Sequence, residues 1–180
     1  IQADLPETQI RDTSQTSGYY FTRFNETIGD TNSDYSDPIP YDLLLSADPN
    51  RELVDEYLKS GECFVGKIDN KIVGEYVLIN NADKIFEIIS VAVDPKYQGK
   101  GYGKMLVLDA IDRARKSGAK SIEIGTGNSS FLQLALYQKC GFRIVGVFKN
   151  FFADNYTEKI VENGIQCVDK VMLSIDFLSH

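Results

Sequence analysis

The chain has 180 residues, 43% hydrophobic and 25% charged, with a formal net charge of −7 and a sequence pI near 4.8. That suits one domain with a sizeable core, and no stretch approaches the roughly 18 uninterrupted apolar residues of a membrane span. Without a basic stripe, with one histidine at His180 and three scattered cysteines, the composition argues against a nucleic-acid partner, histidine catalysis, a disulfide framework and a metal site.

Residues 1–17 are polar and aperiodic, hold no apolar run long enough for a secretory signal, and read as a flexible N-terminal arm; residues 18–180 read as a single domain. The expectation is a cytoplasmic, metal-free protein, and a homodimer is admitted. A strand is predicted over Tyr19–Thr27, a loop over Gly29–Pro40, and helices over Tyr41–Ala47 and Arg51–Lys59. Strands Cys63–Ile68 and Ile72–Ile79 flank Asp69-Asn70-Lys71, whose residues tolerate a left-handed backbone, so a hairpin is expected. Ile85–Val93 is apolar on both faces, the pattern of a central strand. Met105–Lys116 is an amphipathic helix with Leu106, Val107, Ala110, Ile111 and Ala114 inward. Asp109–Arg113 and Asp112–Lys116 pair on its outer face, and Gly118 suits its C-terminal cap. A strand at Ser121–Thr126 precedes a helix from Ser130, capped in a box with Gln133, to about Cys140 and closed by Gly141. Strands Phe142–Phe148 and Val168–Ile175 follow, with a long aromatic and acidic loop between them. Helices alternating with strands after a hairpin start predict an α/β fold with a mixed sheet flanked by helices.

The chemistry concentrates in Val91-Ala92-Val93-Asp94-Pro95-Lys96-Tyr97-Gln98-Gly99-Lys100-Gly101-Tyr102-Gly103-Lys104. A buried strand ends at a proline, a glycine-rich loop follows, and a helix begins. Such a loop aims backbone N–H groups at one point beside the positive helix end, and glycines let an anion approach closely. Lys100 and Lys104 add positive charge, so the loop should bind phosphate. It is no nucleotide P-loop, because Gln98 stands where the first glycine belongs and Met105 where the hydroxyl belongs. Nor is it the dinucleotide fingerprint, because the spacing is Gly99-x-Gly101-x-Gly103.

Val93 to Lys104 resembles the signature of the GNAT superfamily of acyl-CoA-dependent N-acyltransferases, Val-x-Pro-x-Tyr-(Arg/Gln)-Gly-x-Gly-(hydrophobic)-Gly. Leu136-Tyr137-Gln138-Lys139-Cys140-Gly141-Phe142 is similar to that family's Leu-Tyr-x-Lys-x-Gly-Phe, in the right order and at the right spacing. Three further segments, Pro40–Leu45, Gly125–Ser130 and Glu162–Cys167, resemble an uncharacterised bacterial subgroup. The resemblance spans roughly Tyr19 to Ile175 and implies a largely antiparallel sheet in which a splayed parallel strand pair holds acetyl-CoA as co-substrate. It implies that backbone amides of Gln98, Gly99, Lys100, Gly101, Tyr102, Gly103 and Lys104 take the pyrophosphate. The edge at Val91 and Val93 would pair with the pantetheine arm like an added strand. At the position where the family often carries a pantetheine-contacting asparagine stands Ser130, with Asn128 two residues earlier, so either supplies that contact.

An amine near pKa 10.4 is almost wholly protonated at neutral pH, so its attack on a thioester needs a proton acceptor. Glu87 is the one charge in Ile85-Phe86-Glu87-Ile88-Ile89-Ser90-Val91, and its place is similar to that of a known base in some family members. A carboxylate taken out of water holds a proton more readily, which suits that task; the alternative is a carboxylate paired to a neighbouring strand or lysine. Tyr137 is the candidate acid or hydrogen-bond donor to the departing thiolate, the alternative being a core tyrosine. Backbone N–H near Val91 would hold the oxyanion. Cys140, Cys63 and Cys167 read as packed, unreactive thiols. Tyr41, Asp42, Glu75 and Asn150–Tyr156 would line the acceptor site, where aromatics and carboxylates suit a small amine or a peptide. The expected activity is acetyl transfer from acetyl-CoA to a primary amine of a small molecule or peptide, without nucleic acid or membrane. A non-catalytic acyl-CoA sensor on the same fold is the alternative.

Overall fold

The structure is a computed structural model that describes residues 19–23 and 39–178. The expected arm over 1–17, the first strand beyond Arg23, most of the loop over 29–40 and His180 lie outside the described residues.

In chain order the elements are β1 (Tyr19–Arg23), α1 (Tyr41–Ala47), α2 (Arg51–Ser60), β2 (Glu62–Ile68), β3 (Lys71–Asn80), β4 (Ile85–Val93) and α3 (Tyr102–Lys116). Then come β5 (Ser121–Gly127), α4 (Phe131–Lys139), β6 (Arg143–Phe148), α5 (Phe151–Asn155), β7 (Val161–Glu162), β8 (Ile165–Gln166) and β9 (Lys170–Asp176). Seven strands form one sheet in the order β1-β2-β3-β4-β5-β9-β6, and β7 pairs only with β8. Every neighbour in the large sheet is antiparallel except β4 and β5. The expected mixed, largely antiparallel sheet with one parallel pair is therefore present.

Local chemistry accounts for most element boundaries. Asp69 and Asn70 both take positive φ, 47° and 64°, so β2 turns into β3 over two residues and β3 starts at Lys71. Gly118 (φ 74°) ends α3, with Gly118 N–H donating to Arg115 O and Ala119 N–H to Ala114 O. Gly141 (φ 100°) ends α4 the same way, with bonds from Gly141 to Gln138 O and from Phe142 to Tyr137 O. The Leu136–Phe142 motif is thus a helix terminator that packs Phe142 near Tyr137, ring centroids 6.3 Å apart and planes inclined at 60°. The expected pairs Asp109–Arg113 and Asp112–Lys116 form, each at 2.7 Å.

The structure corrects three expectations. Helix α3 begins at Tyr102, three residues before Met105, because Gly101 in the left-handed region serves as its N-cap. The capping box is not formed: Ser130 makes no side-chain cap, and its hydroxyl donates to Glu162 instead. The loop before β9 holds α5 and the β7–β8 hairpin, elements too short for a periodic signal, and β9 starts at Lys170.

Two apolar layers sandwich the sheet. On one face, Leu106, Val107, Ala110, Ile111 and Ala114 of α3 pack with Tyr76, Leu78, Phe86, Ile88, Ile122, Ile124 and Tyr137. On the other, Leu44, Val54 and Tyr57 cover Cys63 and Val77. β4 lies in the middle and changes face part-way along. Ile88 opposes Leu78 while Ser90 opposes Val77, so Ile89 is an extra, bulged residue. Before the bulge Phe86 and Ile88 face α3; beyond it Val91 and Val93 do. Ser90 and Ala92 are thereby turned toward α1 and α2.

Candidate active site

β4 and β5 pair only from Ile85↔Ser121 to Ile88↔Ile124. Past Ile88 the two strands part, and the β5-facing edge of Ile89–Val93 has no strand to bond. A strand edge of this kind presents unpaired N–H and C=O groups to an extended ligand. Val91 and Val93, the predicted pantetheine contacts, lie on this stretch, and the bulge at Ile89 marks the point of divergence.

The loop after β4 is exposed from Gln98 to Gly101. Gly99 and Gly101 take φ of 73° and 91°, and a Cβ on either would meet nothing within 4 Å. Gly101 caps α3 without a side-chain bond, so the first N–H groups of α3, at Tyr102, Gly103 and Lys104, receive no cap from it. These are the features of an anion cradle at a helix N-terminus. Gln98 Nε2 donates to Val93 O at 3.0 Å and ties the loop to the strand end. Lys100 Nζ donates to Lys96 O at 3.2 Å and lies 5.2 Å from the centroid of the Tyr97 ring. Tyr102 packs against Tyr19 and Tyr97 rather than into the loop. A Cβ on Gly103 would touch Val93 and Leu136 within 4 Å, which sets the start of α3, the end of β4 and α4 side by side.

Asn128 and Ser130 lie between β5 and α4 with their side chains engaged. Asn128 Oδ1 accepts from the N–H groups of Val168 (2.8 Å) and Asp169 (2.9 Å), and its Nδ2 donates to Gln166 O. These bonds take the amides of Val168 and Asp169 and explain the late start of β9. Ser129 and Ser130 both donate to Glu162, and Asn163 Nδ2 donates to Ser129 O at 2.8 Å. The β7–β8 hairpin is thereby fastened to the start of α4.

Glu87 lies on the face opposite α3. Its Oε1 is 3.4 Å from Lys170 Nζ, and its Oε2 accepts from Asn81 at 3.4 Å. Lys170 reaches it across β5 because Gly125 has no side chain; a Cβ there would overlap Lys170 Cε. Lys170 also lies 5.0 Å from the centroid of the Phe151 ring. The lone charge of the strand is therefore paired to a lysine on β9.

Tyr137 is 4% exposed, and burial pushes its phenol well above the ordinary value. Burial likewise pushes the thiols of Cys63, Cys140 and Cys167 up, which leaves them protonated and poorly nucleophilic.

The expected acceptor-side residues gather around α1. Tyr41 donates to Asp55 at 2.8 Å with Arg51 3.5 Å above its ring, and Tyr156 donates to Asp48 at 3.3 Å. Tyr156 in turn stacks on Phe152 of α5. Asp42 is exposed. Glu75 is fully buried on β3; Ser90 Oγ donates to its Oε1 at 2.9 Å, and its Oε2 has no partner. Desolvation raises this carboxyl from 4.5 to about 8. Ser90 escaped the sequence reading because its orientation depends on the bulge, which no local pattern announces.

Among the described residues there is no cluster of histidine, cysteine or carboxylate suited to a metal, and no helix long and apolar enough to cross a membrane.

Residues 26–142 match the model of the acetyltransferase (GNAT) family. The chain is 54% identical over 136 residues to YvbK, an uncharacterized N-acetyltransferase of Bacillus subtilis, covering 76% of this chain and 88% of that protein. The fold is similar to a GNAT family acetyltransferase from Elizabethkingia anophelis solved with acetyl-CoA bound, at TM-score 0.82 and 44% identity, covering 90% and 100% of the two chains. A Bacillus subtilis acetyltransferase solved in complex with CoA superposes at TM-score 0.79 and 47% identity, covering 89% and 99%.

Proposed function

Because the chain belongs to the GNAT acetyltransferase family and so is an acetyl-CoA-dependent N-acetyltransferase, we propose that its acceptor is a primary amine of a small molecule or a peptide. The observation that supports this is the set of cation-binding pairs the chain already makes, Glu87 and Phe151 with Lys170 and Asp55 and Tyr41 with Arg51, beside Asp48 held by Tyr156, which packs on Phe152. Carboxylates and aromatic faces together suit a cationic ammonium.

In the proposed complex the N–H groups from Gln98 to Lys104 take the pyrophosphate, and the β4 edge at Val91 and Val93 takes the pantetheine arm. Asn128 and Ser130 contribute by building the opposite wall. The thioester then sits where β4 and β5 part, and an N–H near Val91 receives the oxyanion. Glu87 takes the proton that the incoming ammonium must lose before its nitrogen can attack. Tyr137 hydrogen-bonds the departing sulfur. Its upward-shifted phenol holds its proton, so it lends a hydrogen bond rather than a full transfer.

The test is release of free CoA thiol from acetyl-CoA across spermidine, kanamycin, alanine and a short peptide. At least one amine should raise turnover ten-fold or more above background hydrolysis. Tight acetyl-CoA binding with no turnover on any amine would return the protein to a non-catalytic acyl-CoA sensor.

A further inference from the structure

Acetyl transfer to an ammonium strips two protons from nitrogen, one before attack and one from the tetrahedral adduct. In the proposed complex Glu87, largely buried beside Lys170 on the face opposite α3, serves the first. The second must be taken at the point of attack, where β4 leaves β5. Ser90 lies two residues past the last β4–β5 pair and is turned away from α3 by the Ile89 bulge, 5% exposed. Directly behind it is Glu75, whose side chain is wholly buried; Ser90 Oγ donates to Oε1, while Oε2 has no partner. A buried carboxyl oxygen without a hydrogen bond is costly, and such groups concentrate where chemistry needs them.

On the amine-acetyltransferase reading, we infer that Ser90 is a further catalytic residue, with Glu75 the buried partner that positions its hydroxyl and receives the second proton through it. The amine nitrogen attacks the thioester carbon, the C–N bond forms, and the carbonyl π pair becomes the oxyanion. The adduct nitrogen passes a proton to Ser90 Oγ as the Ser90 proton moves to Glu75 Oε1. The oxyanion pair re-forms C=O and the C–S bond breaks. Its electron pair leaves on sulfur, which takes a proton from solvent. Glu75 returns its proton through Ser90 once the amide departs, so the cycle releases one net proton.

The surroundings of Glu75 suit this task. Among the described residues the titratable groups facing it are Tyr57 of α2 and Cys63 of β2, with Asp48 acting on Tyr57 from beyond α1. Burial and the Glu75 charge push both Tyr57 and Cys63 upward, so each stays neutral while Glu75 titrates. Desolvation, partly offset by the Ser90 hydroxyl and the Ala92 N–H, raises its carboxyl from 4.5 to about 8. It is ionised, and able to accept a proton, on the alkaline side of neutrality.

The test compares the parent with Ser90→Ala, Ser90→Thr, Glu75→Gln and the Ser90→Ala/Glu75→Gln double variant, from pH 6 to 10, on acetyl-CoA and the fastest of the four amines named above. Ser90→Ala and Glu75→Gln should each lower kcat about 10²-fold, leave acetyl-CoA affinity unchanged, and abolish the limb that rises near pH 8. The double variant should be no more than about threefold worse than either single one, as for two members of one relay. Ser90→Thr, which keeps the hydroxyl, should recover most of the rate. Should Glu75→Gln not fold, the contrast between Ser90→Ala and Ser90→Thr decides the matter. A parent that turns over amine while Ser90→Ala keeps its rate and its limb overturns the relay alone. A parent that binds acetyl-CoA yet acetylates no amine overturns the amine reading, and the relay with it.

Discussion

Glu87 and Glu75 each stand alone among apolar neighbours in their strands, and the fold gives them opposite surroundings. Glu87 meets Lys170 at 3.4 Å and Asn81 at 3.4 Å, whereas Glu75 is sealed between Ser90 and an apolar layer. Removing the Glu87 charge should therefore affect chemistry without disturbing the cofactor loop, which belongs to the opposite end of β4. Glu87→Gln is expected to lower kcat about 10²-fold with acetyl-CoA affinity retained, read by steady-state kinetics and calorimetry. An undiminished rate would make the Lys170 pair purely structural. Tyr137→Phe keeps the ring that packs on Phe142 and deletes only the hydroxyl, so stability should hardly move. If that hydroxyl assists sulfur, kcat should fall about 10- to 1000-fold; a rate within about twofold of the parent returns Tyr137 to a packing role.

At the scale of elements, two devices make the proposed cofactor cleft: the parting of β4 from β5, and a helix start capped by a glycine in the left-handed region. Gly101 has φ 91° with open space where a side chain would project. A β-branched residue there both strains the backbone and occupies the space of the anion. Gly101→Val should weaken acetyl-CoA binding tenfold or more, about 1.4 kcal/mol, in a protein that still folds. Calorimetry on the folded variant checks this, and an unchanged affinity would remove the loop from the site. The loop was legible in the sequence because glycine spacing, proline and lysine are local signals. The same locality explains α3, whose five inward residues are all buried. The β7–β8 hairpin was not legible, since two-residue strands carry no period, and its attachment depends on Glu162 meeting Ser129 and Ser130 over a separation of more than thirty residues.

At the scale of the molecule, burial of Glu75 couples folding to pH. Its carboxyl rises from 4.5 to about 8, so between those values the folded chain holds a proton that the unfolded chain has lost. The native state binds more protons there, and stability falls as pH rises through that window. Between about pH 5 and pH 9 the parent should lose about 10 °C more in Tm than Glu75→Gln, which cannot titrate, as followed by calorimetry. Parallel Tm profiles for the two proteins would show that Glu75 is not the group responsible.

Periodicity, turn residues and the glycine spacing determined the order of the elements other than α5, β7 and β8, the central place of β4, the inward face of α3 and the glycine loop that leads into it. Each of these depends on residues within a few positions of one another. The tertiary structure alone decided that Ile89 is bulged, that Ser90 turns toward Glu75, and that Lys170 crosses Gly125 to reach Glu87. It also committed the side chains of Asn128 and Ser130 to the segment 162–169 instead of leaving them free. These are contacts between strands distant in sequence. A one-residue slip in register exchanges the two faces of a strand, so the direction in which a side chain points is settled only when the sheet is assembled.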